Sequence, residues 1–143
     1  MAKTIKMERT YHKQEINITE SLMSRITELI SHYPEDKRKS ALLPVLHEVQ
    51  DAHENWLSLE LMDKVAEIIQ IKPIEVYEVV SFYTMYNQKP IGKYMFEFCT
   101  TSPCCLNGAE DLMDYTCEKL GVNPGETTAD GNFTVVGVQC LGA

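Results

Sequence analysis

Apolar residues in the first half of the chain recur every three or four positions, which is the spacing of one buried helical face. Four such stretches occur, and prolines or short charged connectors separate them. The residues predicted to face inward are Leu22, Ile26, Leu29, Ile30 and Tyr33 in the first stretch, Leu42, Leu43, Leu46, Val49 and Gln50 in the second, Leu61, Met62, Val65, Ile68 and Ile69 in the third, and Val76, Tyr77, Val79, Val80, Phe82 and Tyr83 in the fourth.

Capping signals predict where these helices begin. Pro73 is suited to the first position of the fourth helix, where its missing N–H does no harm. Because the connectors are short, we predict a bundle of about four helices over residues 16–88. Residues 1–15 are mostly polar and have no period, so we predict a flexible lead-in there. The candidate N-cap side chains of the first three helices are Asn17 or Thr19, Ser40 and Ser58.

A different pattern begins at residue 89. Apolar runs predict a largely buried strand at 94–98 and a second strand at 133–138. The order strand, helix, strand implies a right-handed crossover and parallel pairing of the two strands. The fold class is therefore α+β, with an α/β domain over residues 89–143. The helix between the strands is predicted to begin at Ala109, to stop at Gly121, and to face inward with Leu112, Met113, Thr116, Cys117 and Leu120.

Composition and charge narrow the functional classes. The chain is 44% hydrophobic and 24% charged, as a globular protein is. Its net charge of −8 argues against nucleic-acid binding, which needs a basic face, and favours a partner with a basic patch. Residues 1–6 hold no apolar signal segment, and no apolar run reaches membrane-spanning length. We therefore expect a cytoplasmic protein without direct membrane insertion.

The helical half carries no evident catalytic group. His47 and His53 lie six positions apart, so they do not share a face as zinc ligands at i and i+4 would, and we interpret them as solvated or capping side chains. The aromatic residues Phe82, Tyr83 and Tyr86 are interpreted as core and interface packing. No pair of carboxylates suggests a general acid and base. This half is predicted to be a scaffold or docking module.

All five cysteines lie in the last third of the chain. Cys99 follows the first predicted strand, Cys140 follows the second, and Cys104 lies in the loop between strand and helix. The carboxyl ends of parallel strands share one sheet edge, where α/β proteins bind ligands, so we expect these three thiols to meet. In a reducing compartment, such cysteines are typical of metal ligands or redox thiols. The sequence therefore predicts a metal or cluster site.

Spacing alone leaves several kinds of site open. Structural zinc usually takes two closely spaced pairs of ligands, and a second pair is not present. A plant-type ferredoxin would need a cysteine where Asn107 stands, and a thioredoxin-type dithiol would need a C-x-x-C motif, which does not occur. A zinc-stabilised interaction module and a thiol-based redox protein remain alternatives to a cluster protein.

Several motifs together resemble a known family. From about residue 16 onward, the chain is similar to the small [2Fe–2S] subunits (the E subunits) of bacterial NADH:quinone oxidoreductase, respiratory complex I. Related subunits occur in NAD-linked hydrogenases and formate dehydrogenases. The motifs that carry the resemblance are residues 40–47 (SALLPVLH), 76–79 (VYEV), 81–86 (SFYTMY), the C-x4-C motif at 99–104, residues 124–128 (PGETT), and residues 140–143 (CLGA).

The resemblance implies a helical part followed by a thioredoxin-like ferredoxin domain that carries single electrons. It implies a [2Fe–2S] cluster on four cysteines, beside a flavin- and NADH-binding subunit, in a complex on the cytoplasmic face of the inner membrane. Cys99, Cys104 and Cys140 match three of the four ligands. Chemistry on NADH would belong to the partner, and the expected donors to cluster sulfur are Thr100, Thr101, Ser102 and the backbone around Gly142.

The resemblance also implies that the chain is truncated. The family's fourth cysteine is expected just after Ala143. We therefore expect a cluster in the full-length protein, no intact cluster in these 143 residues, and a ferredoxin part that is poorly ordered or self-associating because its sheet is incomplete. Cys105 directly follows a matched ligand and is interpreted as a bystander. Cys117, on the inward face of its helix, is interpreted as a small core residue.

Overall fold

The computed structural model of the protein describes residues 14–142. Its regular elements divide between a helical unit, which ends at Pro90, and a cysteine unit, which begins at Ile91. The helical unit contains α1 (Glu20–Ser31), a 3-10 helix (Glu35–Ala41), α2 (Leu42–Ala52), α3 (Leu59–Ile69) and α4 (Pro73–Phe82). The cysteine unit contains β1 (Tyr94–Cys99), α5 (Ser102–Leu106), α6 (Ala109–Leu120) and β2 (Phe133–Val138). The α+β class is confirmed.

Two of the predicted caps are present, and one is wrong. The hydroxyls of Thr19 and Ser58 accept from the backbone N–H groups at the starts of α1 and α3, and Pro73 opens α4 as predicted. Ser40, however, lies inside the 3-10 helix, and Ala41 is the N-cap of α2. The charged connector already winds as a helix, so the Leu42 N–H is satisfied by the Lys39 carbonyl and needs no side-chain cap.

The core of the helical unit is built mainly from predicted inward residues, together with Val45 and Leu57, which were not predicted to face inward. Two predicted inward residues are nevertheless exposed: Tyr33, which follows the end of α1, and Phe82, whose side chain is 78% exposed. Phe82 lies six residues after Val76, which places it about 240° around α4 from the buried face. The fully buried large side chains of this unit are Ile26, Leu42, Val45, Leu46, Val49, Leu57, Leu61, Val65, Ile69, Val76 and Val80.

His53 is buried, so the interpretation of a solvated side chain is wrong for this residue. His53 is the C-cap residue of α2, which agrees with the other interpretation given above, that of a capping side chain. Its Nδ1 lies 2.8 Å from the Val49 carbonyl oxygen, and its Nε2 accepts from the Asn17 N–H at 3.3 Å. Gln14 donates to the carbonyls of His53 and Trp56. Of the predicted lead-in, Gln14 is thus hydrogen-bonded, and residues 1–13 lie outside the described residues.

The sheet of the cysteine unit is a parallel pair, as predicted, with a register that runs from Tyr94 opposite Phe133 to Cys99 opposite Val138. The prediction of a largely buried first strand is wrong, because Tyr94 and Phe96 are exposed. Their rings stack on Phe133, with ring centroids 5.7 Å apart in each pair. Within residues 14–142, β1 pairs on one edge only, so the apolar pattern of the strand overstates its burial.

Helix α6 begins at Ala109 and ends at Gly121, as predicted, and Gly121 takes the left-handed conformation with φ of 66°. Cys117 is the buried residue of this helix. Leu112 is exposed, which corrects its predicted inward position, because it lies about 140° around the helix from Cys117. Across the described residues, no helix combines the length and the apolar character that crossing a bilayer requires.

Candidate metal centre

The candidate site lies at the carboxyl edge of the parallel pair. Cys99 is the last residue of β1 and stands opposite Val138, the last residue of β2. The backbone N–H of Thr100 donates to the Val138 carbonyl at 2.8 Å, and the Thr100 hydroxyl donates to the same oxygen at 2.9 Å. These contacts hold the two chain segments together one residue beyond the strands. Cys140 therefore leaves the sheet beside the start of the 99–104 loop.

Cys104 is held by a short helix that the sequence pattern did not predict. Thr101, in the extended conformation, is the N-cap residue of α5, and Pro103 occupies the first turn. A threonine two residues before a proline was a usable signal for a helix start. The Asn107 side chain donates to the Pro103 carbonyl at 2.7 Å and closes the turn. This geometry carries Cys104 back towards Cys99.

Hydrogen bonds lower the pKa of the Cys99 thiol to about 7. The Thr101 hydroxyl is the main donor, with its Oγ1 2.9 Å from Sγ of Cys99, and the Thr101 amide, the Cys104 thiol and the Leu141 amide add to it. The same contact raises the pKa of Cys104, because its proton is donated to the Cys99 sulfur. The Cys99 and Cys104 thiols thus contact each other in the fold, and Cys99 is the more acidic of the two.

Cys140 is exposed and lies at the same edge. Its charge contributes to the raised pKa of Cys104, and the neighbouring Leu141 amide donates towards Cys99. Among residues 14–142, however, no three histidine, cysteine or acidic side chains are gathered closely enough to enclose a metal ion. We predicted that three thiols would lie together. The structure instead has one close pair, Cys99 and Cys104, with Cys140 near that pair at the same edge of the sheet.

The other two cysteines have different surroundings. The Cys105 thiol donates to a carboxylate oxygen of Glu110 at 3.7 Å, and burial followed by the Glu110 charge raises its pKa. Cys117 is 8% exposed, and burial raises the pKa of its thiol as well. Among the predicted donors to sulfur, the Thr101 hydroxyl contacts Sγ of Cys99. The Thr100 hydroxyl donates instead to the Val138 carbonyl.

This donor set fits an iron–sulfur cluster. Thiolates are the ligands of such clusters, and hydroxyl and amide donors to the sulfurs stabilise their negative charge. The structure supplies adjacent thiols, one of them acidic, with a hydroxyl and two backbone amides directed at its sulfur. A dithiol of the thioredoxin type would have its cysteines two residues closer in sequence.

A helical unit followed by a parallel βαβ unit, with a close pair of thiols at the carboxyl edge of its strands, defines an α+β protein with a candidate thiolate site. The family described as "Thioredoxin-like [2Fe-2S] ferredoxin" matches residues 26–143. The chain belongs to this family.

Curated relatives carry names from respiratory complexes. The chain is 42% identical over 127 residues to "NADH dehydrogenase [ubiquinone] flavoprotein 2, mitochondrial" of Dictyostelium discoideum, covering 89% of this chain and 51% of that protein. It is 40% identical over 134 residues to the E subunit of the NADH-quinone oxidoreductase of Rickettsia conorii, covering 94% of this chain and 76% of that protein. The resemblance seen in the motifs is confirmed. The chain spans about half of the first relative's length.

Solved structures support the fold. An NAD+-reducing [NiFe]-hydrogenase in the H2-reduced state matches with a TM-score of 0.57 and 24% identity, over 69% of this chain and 16% of that chain. The same kind of enzyme in the air-oxidized state matches with a TM-score of 0.58 and 23% identity, over 73% of this chain and 18% of that chain. At this level of identity, the match concerns the fold alone.

Proposed function

We propose that the chain is the [2Fe–2S] electron-transfer subunit of an NADH:quinone oxidoreductase, and that it works beside the flavin- and NADH-binding subunit. The observation that carries the proposal is the adjacent thiol pair Cys99 and Cys104 at the carboxyl edge of the sheet, in a chain of the [2Fe–2S] thioredoxin-like family. The 40% identity to the rickettsial relative supports this oxidoreductase as the parent complex.

The alternative within the same class is the equivalent diaphorase subunit of an NAD-linked hydrogenase or formate dehydrogenase. The hydrogenase matches are 24% and 23% identical, below the 40% of the rickettsial relative. A zinc-stabilised interaction module is the alternative of another class. It fits the described thiols less well, because structural zinc usually takes two closely spaced pairs of ligands, and the described thiols form one close pair, Cys99 and Cys104.

The proposed ligands are Cys99, Cys104 and Cys140. The fourth ligand, predicted just after Ala143, lies outside the described residues. When bound, the cluster supplies a site that accepts and releases one electron. The chain's own residues hold the sulfurs in place, and the Thr101 hydroxyl with the Thr101 and Leu141 amides offsets the negative charge that gathers there. The acidic chain acts in the opposite direction, because its net charge of −8 disfavours added negative charge.

The proposed position follows from this role. As part of the complex, the chain lies peripherally on the cytoplasmic face of the inner membrane and contacts protein partners rather than nucleic acid. The acidic surface suits partners with basic patches.

Anaerobic purification of the full reading frame tests the proposal. We expect a brown protein with about two irons and two acid-labile sulfides per chain. Cys99→Ser, Cys104→Ser and Cys140→Ser should each remove most of the bound iron. Cys105→Ser and Cys117→Ser are the matched controls, since each removes one thiol outside the proposed ligand set. A colourless protein with one zinc per chain would contradict the cluster.

The 143-residue chain provides a second comparison. We expect it to hold no intact cluster by itself, because it contains three of the four proposed ligands. A stable cluster on this chain would show that Cys105, Cys117 or a second chain supplies a ligand. Reversible formation of a Cys99–Cys104 disulfide without metal would favour the thiol-based redox protein instead.

A further inference from the structure

Thr100 directly follows Cys99, and both its backbone and its side chain bind the neighbouring strand. The backbone N–H donates to the Val138 carbonyl oxygen at 2.8 Å, and the hydroxyl donates to the same oxygen at 2.9 Å. A carbonyl oxygen has two lone pairs, so it can accept both bonds together. The last residue of β2 is thus bound twice by one residue of the 99–104 loop.

The methyl branch of the Thr100 side chain also contacts β2. A Cβ added at Gly137 would lie 3.0 Å from Cγ2 of Thr100, so this methyl group takes up space that the missing side chain of Gly137 leaves open. A β-branched side chain has few favourable χ1 rotamers. Because the hydroxyl and the methyl group are each placed by a contact with β2, the Thr100 side chain is held in one orientation.

The Val138 carbonyl is the point from which the chain continues to Cys140. A peptide group is planar, so fixing the direction of the Val138 oxygen also fixes the plane of the bond to Gln139. Cys140 is exposed, so packing contributes little to its placement. On the other side of Cys140, the Leu141 amide donates towards the Cys99 sulfur. The position of Cys140 therefore depends on backbone contacts on either side of it.

The hydroxyl of the next residue, Thr101, contacts sulfur instead. Its Oγ1 lies 2.9 Å from Sγ of Cys99, so it acts on the charge of that sulfur. The Thr100 hydroxyl binds a carbonyl oxygen and therefore acts on the path of the chain. The two adjacent threonines carry the same group but place it on different parts of the site, so each serves as a control for the other.

We propose that Thr100 is a positioning residue whose hydroxyl fixes the Val138 carbonyl and thereby holds Cys140 at the thiol site. The role of Cys140 as a ligand rests on the proposed function. Thr100→Val keeps the branched shape and the backbone N–H but removes the hydroxyl, whereas Thr100→Ser keeps the hydroxyl. The hydroxyl is exposed to water, so its loss should weaken the holding of metal by about three- to tenfold.

Iron loss and reduction potential of the protein purified anaerobically from the full reading frame give the first test. Thr100→Val should lose iron to a chelator about three to ten times faster than wild type at an unchanged potential, and Thr100→Ser should behave as wild type. Thr101→Val should lower the potential, because a donor to the negatively charged sulfur is lost. Thr116→Val, which removes a hydroxyl bonded to the Leu112 carbonyl within α6, should change neither quantity. A changed potential with unchanged iron loss in Thr100→Val would overturn the proposal.

Binding of Cd²⁺ to the metal-free protein from the full reading frame gives a second readout, which needs no cluster. Thr100→Val should bind Cd²⁺ about three- to tenfold more weakly than wild type. In a Cys140→Ser background the same substitution should have no further effect, because the residue that Thr100 positions is gone. In a Cys104→Ser background its effect should remain. An effect that persists without Cys140 would indicate a general change of structure and would overturn the positioning role.

The two readouts separate this inference from the proposed function. If no iron–sulfur cluster assembles but Cd²⁺ affinity shows the coupling between Thr100 and Cys140, the positioning role stands and the proposed function is wrong. If the cluster assembles and Thr100→Val matches wild type in iron loss and in Cd²⁺ affinity, the function stands and the positioning role is wrong. Wild-type Cd²⁺ affinity in Cys140→Ser would also overturn the positioning role, because Cys140 would then take no part in the site.

Discussion

The helical unit and the cysteine unit distribute their apolar side chains differently. All but one of the largest fully buried side chains lie in the helical unit, and the exception is Val135 of β2. More than half exposed are four large apolar side chains of the cysteine unit, Tyr94, Leu106, Leu112 and Tyr115, and three of the longer helical unit, Leu59, Ile74 and Phe82. The cysteine unit therefore combines as many exposed apolar side chains with a far smaller buried core. A unit with a continuous core stabilises itself, whereas exposed apolar side chains in number are typical of surfaces that bind a partner or ligand.

The different distribution of apolar side chains follows from how each unit is built. Each helix of the helical unit buries one face against its neighbours, so the unit resembles a complete small bundle. The cysteine unit places two strands and α6 around a much smaller core, and its described residues are arranged around thiols at one edge. We therefore expect core substitutions to act mainly on the helical unit, and backbone packing and loop contacts to matter most in the cysteine unit.

The largest effect is expected for Leu61→Ala, in the core of the helical unit. Leu61 is 0% exposed. Its truncation removes buried apolar surface and leaves a cavity, so the free energy of unfolding of this unit should fall by about 2–5 kcal/mol. Trp56 is the single tryptophan and is buried in the same unit, so its fluorescence during denaturation reports on this unit.

Leu59→Ala is the matched control. It makes the same chemical change in the same helix, but Leu59 is 52% exposed. We expect a change within about 0.5 kcal/mol. If both variants shifted the Trp56 transition equally, burial in the helical bundle would not be the source of its stability, and the contrast between the two units would lose its basis.

The next effect concerns Gly92→Ala in the cysteine unit. A Cβ at this position would lie 2.8 Å from the backbone C and N atoms of Phe133, which cannot move without shifting β2. Gly92 also donates its N–H to the Thr134 hydroxyl at 2.6 Å. The free energy of opening of β2 should fall by about 1–3 kcal/mol, which amide hydrogen exchange of β2 measures, while the Trp56 transition should stay in place.

Gly137→Ala provides the comparison within the same sheet. Its added Cβ would meet Cγ2 of Thr100 at 3.0 Å and Sδ of Met113 at 3.7 Å. Both are side-chain atoms, so the backbone of β2 need not shift, although a rotation of Thr100 would give up the hydrogen bond of its hydroxyl to the Val138 carbonyl. We expect this variant to cost less than about 1 kcal/mol. A larger loss at Gly137 than at Gly92 would contradict the assignment of the tight contact to the Phe133 backbone.

The helices and the strand order could be predicted from the sequence because their signals are local. Periodic apolar residues define a buried face within one helix, and a strand, helix, strand order admits one handedness. The placement of Cys99 and Cys140 at one edge follows from that order alone. The segments that were missed, α5 and the 3-10 helix, are too short to show a period, so only cap and proline signals could have indicated them.

The remaining errors concern the burial of single side chains. Burial depends on which other elements pack against a residue, and the spacing of apolar residues along the chain carries no information about that. Phe82, Tyr94 and Leu112 belong to apolar patterns, yet their exposure depends on which neighbouring elements cover them. His53 is held by Asn17, thirty-six positions away in sequence, so its burial could not be read from its spacing to His47. The close pairing of Cys99 and Cys104, too, depends on the turn that α5 makes between them.

The smallest effect is expected at Asp130, in the polar turn before β2. The Thr128 hydroxyl is the main donor to its carboxylate, followed by the side chain and backbone N–H of Asn132, and together they lower its pKa from 3.8 to about 2. Because the folded pKa lies below the unfolded one, this carboxylate stabilises the folded turn above about pH 4 and loses that effect as the pH falls through 2. Asp130→Asn should therefore unfold at a lower temperature than wild type at about pH 5 and at the same temperature near pH 2.

Direct titration of the Asp130 carboxyl by NMR sharpens this test of the cysteine unit. Thr128→Ala removes the main donor, so the midpoint should rise from about 2 towards 3.8. Thr116→Ala is the matched control, since the Thr116 hydroxyl donates to the Leu112 carbonyl in α6 and makes no contact with the turn. The midpoint should stay near 2 in that variant. An unchanged midpoint in Thr128→Ala would mean that the hydroxyl does not hold the carboxylate, and the stability of this unit would then have to come from its small core rather than from its loop contacts.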